Sequence, residues 1–97
     1  MKFETRAIHA GQGPDPTTGA TIVPIYQTST FTWDGLGEHR GYEYSRTGNP
    51  TRTALETALA AVEGGERAFA FSSGLAGEDV LLRSLTRPGG HVVMPDD

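Results

Sequence analysis

At 97 residues the chain is long enough for one small domain or for part of a larger one. Hydrophobic residues make up 36% and charged residues 21%, which excludes both a disordered and a membrane-embedded composition, and the Met1–Arg6 start lacks the apolar core of a secretion signal, so the expected compartment is the cytoplasm. A formal charge of −4 with scattered arginines argues against nucleic acid as a partner, and the absence of cysteine excludes disulfides and thiolate metal sites.

Residues 1–45 are dense in turn formers: Gly11, Gly13, Pro14, Asp15, Pro16, Gly19 and Pro24, then Gly35, Gly37 and Gly41. One short helical turn is expected between Glu4 and Ala10, and no long helix survives the breakers that follow. Ile22, Val23, Ile25, Tyr26, Phe31 and Trp33 are apolar residues with no companion element to cover them. A long irregular stretch that still carries aromatic and β-branched side chains reads as an arm that packs on another subunit. The expected division is therefore an inter-subunit arm over 1–45 and the start of a larger domain over 46–97.

From residue 46 the pattern changes. Asn49 suits a helix cap, Pro50 the first helical position, and Leu55, Leu59 and Val62 recur at i, i+4 and i+7 before Gly64 and Gly65. Arg67 to Phe71 is a short run with aromatics at 69 and 71, which predicts a buried strand. The Ser72-Ser73-Gly74 turn then opens a second helix over about 74–86, with Leu75, Leu82 and Leu85 able to share a face. Pro88-Gly89-Gly90 breaks it, and His91 to Pro95 reads as a second strand. Strand, helix, strand is a βαβ pattern, so the expected class is α/β, with more strands required than these residues contain. A helix opening in Ser-Ser-Gly offers free N–H groups, capping hydroxyls and close access for an anion. The residues alone leave two readings of Ser73 open: a phosphate seat, or an ordinary helix cap.

Three stretches in register carry a resemblance: Tyr44-Ser-Arg-Thr-Gly-Asn-Pro-Thr-Arg52, Phe71-Ser-Ser-Gly-Leu-Ala76 and His91-Val-Val-Met-Pro-Asp-Asp97. Together with Thr5-Arg-Ala-Ile-His-Ala-Gly11 and Val23-Pro-Ile-Tyr-Gln-Thr-Ser-Thr-Phe31, they resemble the Cys/Met-metabolism, or transsulfuration, family of enzymes that use pyridoxal 5′-phosphate (PLP). The likeness is strongest to its cystathionine γ-synthase and γ-lyase branches. It covers essentially the whole chain, in the family's order, and corresponds to the first part of a longer protein. The fold it implies is the N-terminal arm plus the first βαβ unit of the large domain of an aspartate-aminotransferase-type (fold type I) enzyme.

On residues, the resemblance implies that Tyr44 and Arg46 reach across a dimer interface to the cofactor phosphate of a neighbouring subunit. Ser73 and the backbone N–H groups of Gly74 and Leu75 would hold the phosphate in their own subunit. Glu43, just before that tyrosine, would face the distal ammonium of a cystathionine-type substrate. Asn49 and Arg52 read as helix-start and interface residues. His9, His39 and His91 share no ligand spacing, so no metal is expected. The sole lysine, Lys2, is far from every motif, so no catalytic residue is assigned in these residues, and the chain alone is expected to be inactive. Gly77 departs from the alanine common in the family and loosens the first helical turn.

Three arrangements fit: the first part of a complete enzyme, expected to be a homotetramer, acting at the γ-carbon of homoserine esters or cystathionine; a natural partial subunit completed by a chain that carries the lysine; or a non-catalytic interaction module. The first is preferred. Synthase and lyase are not separated by these residues, and the 97 residues in isolation are expected to fold poorly.

Overall fold

The computed structural model describes residues 1–96. Three helices follow one another: α1 over Phe3–His9, α2 over Pro50–Glu63 and α3 over Gly74–Leu85. The short N-terminal helix has Glu4 in its first turn and Arg6 and His9 in its last, charges that suit the helix dipole. At the start of α2, the Asn49 side chain accepts from the Thr51 N–H at 2.9 Å and Pro50 occupies the first position. Gly64 ends α2 in the left-handed region at φ 71°, its N–H bonded to the Ala60 carbonyl. Both caps are the ones the sequence suggests.

The expected strands did not form. Residues 67–71 and 91–95 lie in no helix and no ladder, and the described residues contain no β-strand, only isolated bridges between Thr30 and Tyr44 and between Gly35 and Glu38. The α/β class and the βαβ unit read from the sequence are thus corrected: the described residues form three helices joined by turn-rich and irregular segments. The reason is pairing. A strand needs a second chain segment to receive its N–H and C=O groups, and the Ala70 N–H bonds the Glu56 carboxylate at 2.9 Å instead. The aromatic pattern that suggested a buried strand points outward, with Phe69 70% exposed and Phe71 47% exposed.

Packing is concentrated on α2. The N-terminal helix lies against it, whereas α3 touches neither of the other helices. The sole buried apolar side chain among the described residues is Ala60, itself 8% exposed, and Leu55 and Leu59 on the apolar stripe of α2 are about half exposed. Gly11 crosses α2 so closely, at φ 73°, that an added Cβ would lie 2.4 Å from the Ala54 carbonyl oxygen. The radius of gyration is 17.3 Å, against roughly 12–13 Å for a compact chain of this length. No helix among the described residues is long and apolar enough to cross a membrane.

Candidate functional site

The segment around Tyr44 is a tight turn tied to one carbonyl. The Tyr44 carbonyl oxygen accepts from the N–H groups of Thr47 at 3.0 Å and Gly48 at 2.9 Å, and from the Thr47 hydroxyl at 2.9 Å. Arg46 sits at the crest of this turn, with its guanidinium carbon 4.9 Å from the centre of the Tyr44 ring. Both side chains are exposed. A cation stacked on a phenol face is held without spending its N–H donors, which stay available for an anion.

The turn is fixed from α2. Asn49 donates through Nδ2 to the Tyr26 carbonyl at 3.0 Å and to the Ser45 Oγ at 2.9 Å while its Oδ1 caps the helix. Thr51 accepts the Tyr26 N–H at 2.9 Å. Arg52 donates to the main-chain carbonyls of Ser45 at 2.9 Å and Arg46 at 3.3 Å. These side-chain bonds replace the regular ladder that residues 24–48 lack, and so satisfy backbone groups that would otherwise need water.

The second group of residues lies at the start of α3. The Ser73 Oγ accepts the Ala76 N–H at 3.1 Å, which leaves the hydroxyl proton itself free to donate. Gly74 and Leu75 occupy the first two helical positions, where an N–H has no intrahelical acceptor. No atom lies within 4 Å of where a Cβ on Gly74 would stand. This helix end is therefore open, electropositive through the helix dipole, and lined with donors.

Between Ser29 and Ser45 the chain makes a closed loop. At its base the Ser45 N–H donates to the Ser29 carbonyl at 2.8 Å, and the Ser45 hydroxyl donates to the Thr28 carbonyl. Phe31 and Tyr42 stack at 5.6 Å, and the Tyr42 hydroxyl reaches Thr53 of α2 at 3.2 Å. Near the tip Arg40 Nε donates to both carboxylate oxygens of Asp34, at 3.1 and 2.8 Å. This bonding holds the Asp34 carboxyl below its ordinary range and raises the Arg40 guanidinium. Glu43 is engaged by His39, Nε2 to Oε1 at 3.2 Å, and His39 meets the Trp33 ring edge-on at 5.6 Å.

The structure thus brings Tyr44 and Arg46 together, and brings Ser73, Gly74 and Leu75 together, but no hydrogen bond or ion pair joins the two groups among the described residues. Glu43 stands apart from both, on His39. Sequence reasoning assigned Asn49 and Arg52 to the helix start, and Asn49 is indeed the cap of α2; it missed that both also hold the turn bearing Arg46. It gave Glu56 no role. The one signal for it was an oppositely charged pair at i, i+4, Arg52 and Glu56.

The Cys/Met metabolism PLP-dependent enzyme family matches residues 4–97. The chain belongs to this family. It is 66% identical over 94 residues to cystathionine gamma-synthase of Mycobacterium tuberculosis, covering 96% of this chain and 24% of that protein. To cystathionine beta-lyase of Lactococcus lactis it is 56% identical over 95 residues, covering 98% of this chain and 25% of the relative. The crystal structure of metB from Corynebacterium glutamicum shares the backbone path with a TM-score of 0.87 at 48% identity, over 92% of this chain and 23% of that one. The chain therefore spans about a quarter of the length of the curated relatives it matches.

The family's cofactor has a phosphate that two features of this chain fit. One is the open helix end at Gly74 with its uncommitted N–H groups; the other is the exposed Arg46 guanidinium, which no carboxylate neutralises among the described residues. For the rest of the cofactor the chain carries no lysine besides Lys2, which lies immediately before α1.

Proposed function

We propose that these residues are the phosphate-binding part of a PLP-dependent transsulfuration enzyme that carries out replacement or elimination at the γ-carbon of homoserine esters or cystathionine. PLP supplies, when bound, an electron sink for chemistry at the α- and γ-positions of an amino acid. The observations that carry the reading are an unneutralised Arg46 stacked on Tyr44 and, separately, an open start of α3 where the Gly74 and Leu75 N–H groups have no intrahelical acceptor.

In this reading the Arg46 guanidinium, steadied on the Tyr44 ring, and the Tyr44 hydroxyl would hold the cofactor phosphate of a neighbouring subunit. The N–H groups of Gly74 and Leu75 and the Ser73 hydroxyl donate to the phosphate from the helix end. Residues 1–45 serve as the arm towards a second copy of the subunit, and residues 46–97 as the start of the cofactor-binding domain. Glu43 receives the distal ammonium of the substrate, which must first displace His39 from its carboxylate, now 3.2 Å away. The lysine that bonds the cofactor comes from outside these residues, so the chain alone does no chemistry. Cytoplasmic residence accords with the family's amino-acid substrates.

Arg46→Ala in the complete enzyme tests this directly. Loss of a charge-assisted fork is expected to weaken cofactor retention on dialysis about tenfold or more. Retention equal to that of the parent protein would refute the assignment.

A further inference from the structure

We propose that Arg52 and Glu56 are positioning residues for phosphate recognition, holding from one face of α2 both the turn that carries Arg46 and the segment that leads into α3. The inference rests on the phosphate-binding role given above to Arg46 and to the start of α3.

The connection is continuous. Arg52 donates to the Ser45 and Arg46 carbonyls at 2.9 and 3.3 Å, and its Nε lies 3.7 Å from the Glu56 carboxylate. The same Glu56 oxygen accepts the Ala70 N–H at 2.9 Å, three residues before Ser73. Both side chains are largely covered, at 32% and 24% exposure, so water competes weakly for these bonds. Because α3 touches neither other helix, the Glu56–Ala70 bond is the sole hydrogen bond between residues 66–73 and α2 among the described residues.

The chemistry needs these residue types. A guanidinium presents donors in several directions at once, enough for two carbonyls and a carboxylate, whereas an ammonium reaches fewer acceptors and fixes no plane. Glu56 faces the Arg52 guanidinium as its counter-ion at 3.7 Å and accepts a hydrogen bond from the Ala70 N–H, and so links two loops that have no ladder between them. Neither residue touches the phosphate; each acts by orienting groups that do. The tie orients each half whether Arg46 and Gly74 meet one phosphate or two.

The test compares PLP with pyridoxal, which lacks the phosphate, in the complete enzyme. Arg52→Met is expected to lower affinity for PLP about tenfold while leaving affinity for pyridoxal unchanged. It should also shift the phosphorus NMR signal of the bound cofactor. Arg52→Lys, which keeps the charge opposite Glu56 and folds more readily, should fall between parent and methionine variant. Glu56→Gln retains an acceptor for the Ala70 N–H and should restore most of the phosphate preference relative to Glu56→Ala. Equal weakening of both ligands, or parental preference in both Arg52 variants, overturns the inference. Arg46→Ala run beside them separates the two failures. If it keeps the phosphate preference, the site itself is misassigned. If it loses the preference while Arg52→Met keeps it, only the positioning role falls.

Discussion

Residues 24–56 and residues 67–96 differ in how they are held. The first region is stitched by side chains to backbone: Asn49, Thr51 and Arg52 between them engage the backbone of Tyr26, Ser45 and Arg46. The second makes a single such bond to α2, at Ala70, and presents Phe69, Leu75, Leu81, Leu85 and Val93 to the outside. Directional polar bonds fix a segment inside its own chain, whereas an apolar surface fixes it only once something covers it. The candidate site is divided along this line, with Arg46 on the stitched side and Gly74 on the open one.

Adding one methyl group to each side is the sharpest way to break the comparison. Against the stitched side, where Gly11 of the preceding segment crosses α2, Gly11→Ala forces a positive φ of 73° on an alanine and drives its Cβ to 2.4 Å from the Ala54 carbonyl oxygen, which cannot move alone. The expected cost in the complete protein is about 2–4 kcal/mol, the sum of left-handed strain and overpacking. It should appear as a lowered denaturation midpoint and faster amide exchange around Ala54. A midpoint unchanged from the parent would mean that the arm does not lie on α2 there.

On the open side the same change should act with the opposite sign. Gly77 lies inside α3, and the nearest neighbour a Cβ there would meet is the Phe71 ring, at 3.3 Å. That ring is half exposed and free to turn aside. Gly77→Ala is therefore expected to stabilise α3 by up to about 1 kcal/mol through helix propensity, read as slower amide exchange at Val80 and Leu81. A loss of stability would show that Phe71 is pinned and that the two regions differ less than their bonding suggests.

The sequence was most legible where a local rule decides the structure. Asn49-Pro50 and Gly64 bound α2, and Ser73 opens α3, because caps depend on neighbours a few residues away. The grouping of Arg46 with Tyr44 was legible through the Tyr-Ser-Arg motif, and the stack itself follows from two residues on one tight turn. What misled was the run from Arg67 to Phe71: alternating aromatics describe a strand's faces, but pairing is supplied by another segment, and the Ala70 N–H found a carboxylate instead. The roles of Arg52 and Glu56 were hidden for a related reason. Their spacing in sequence reveals the ion pair, yet the carbonyls of Ser45 and Arg46 come to Arg52 only through the fold of the loop.

The smallest expected effect concerns the tip of the Ser29–Ser45 loop, which is stitched like α2 but by exposed groups. Asp34 accepts from Arg40 and takes a carboxyl pKa below its ordinary value of 3.8. A depressed acid contributes order that is complete above the unfolded value and is lost as pH falls through the lower folded one. Arg40, raised from an already high value, adds no transition in the acid range. The loop tip should therefore keep its Arg40 Nε–H signal and the Asp34 N–H to Glu38 carbonyl bond down to about pH 4 and lose them below it. Because both groups are solvated, the complete protein should show little change in midpoint over the same range. NMR titration of these two signals decides the matter. Loss of either signal well above the ordinary carboxylate value would mean that the Asp34–Arg40 pair does not hold the tip.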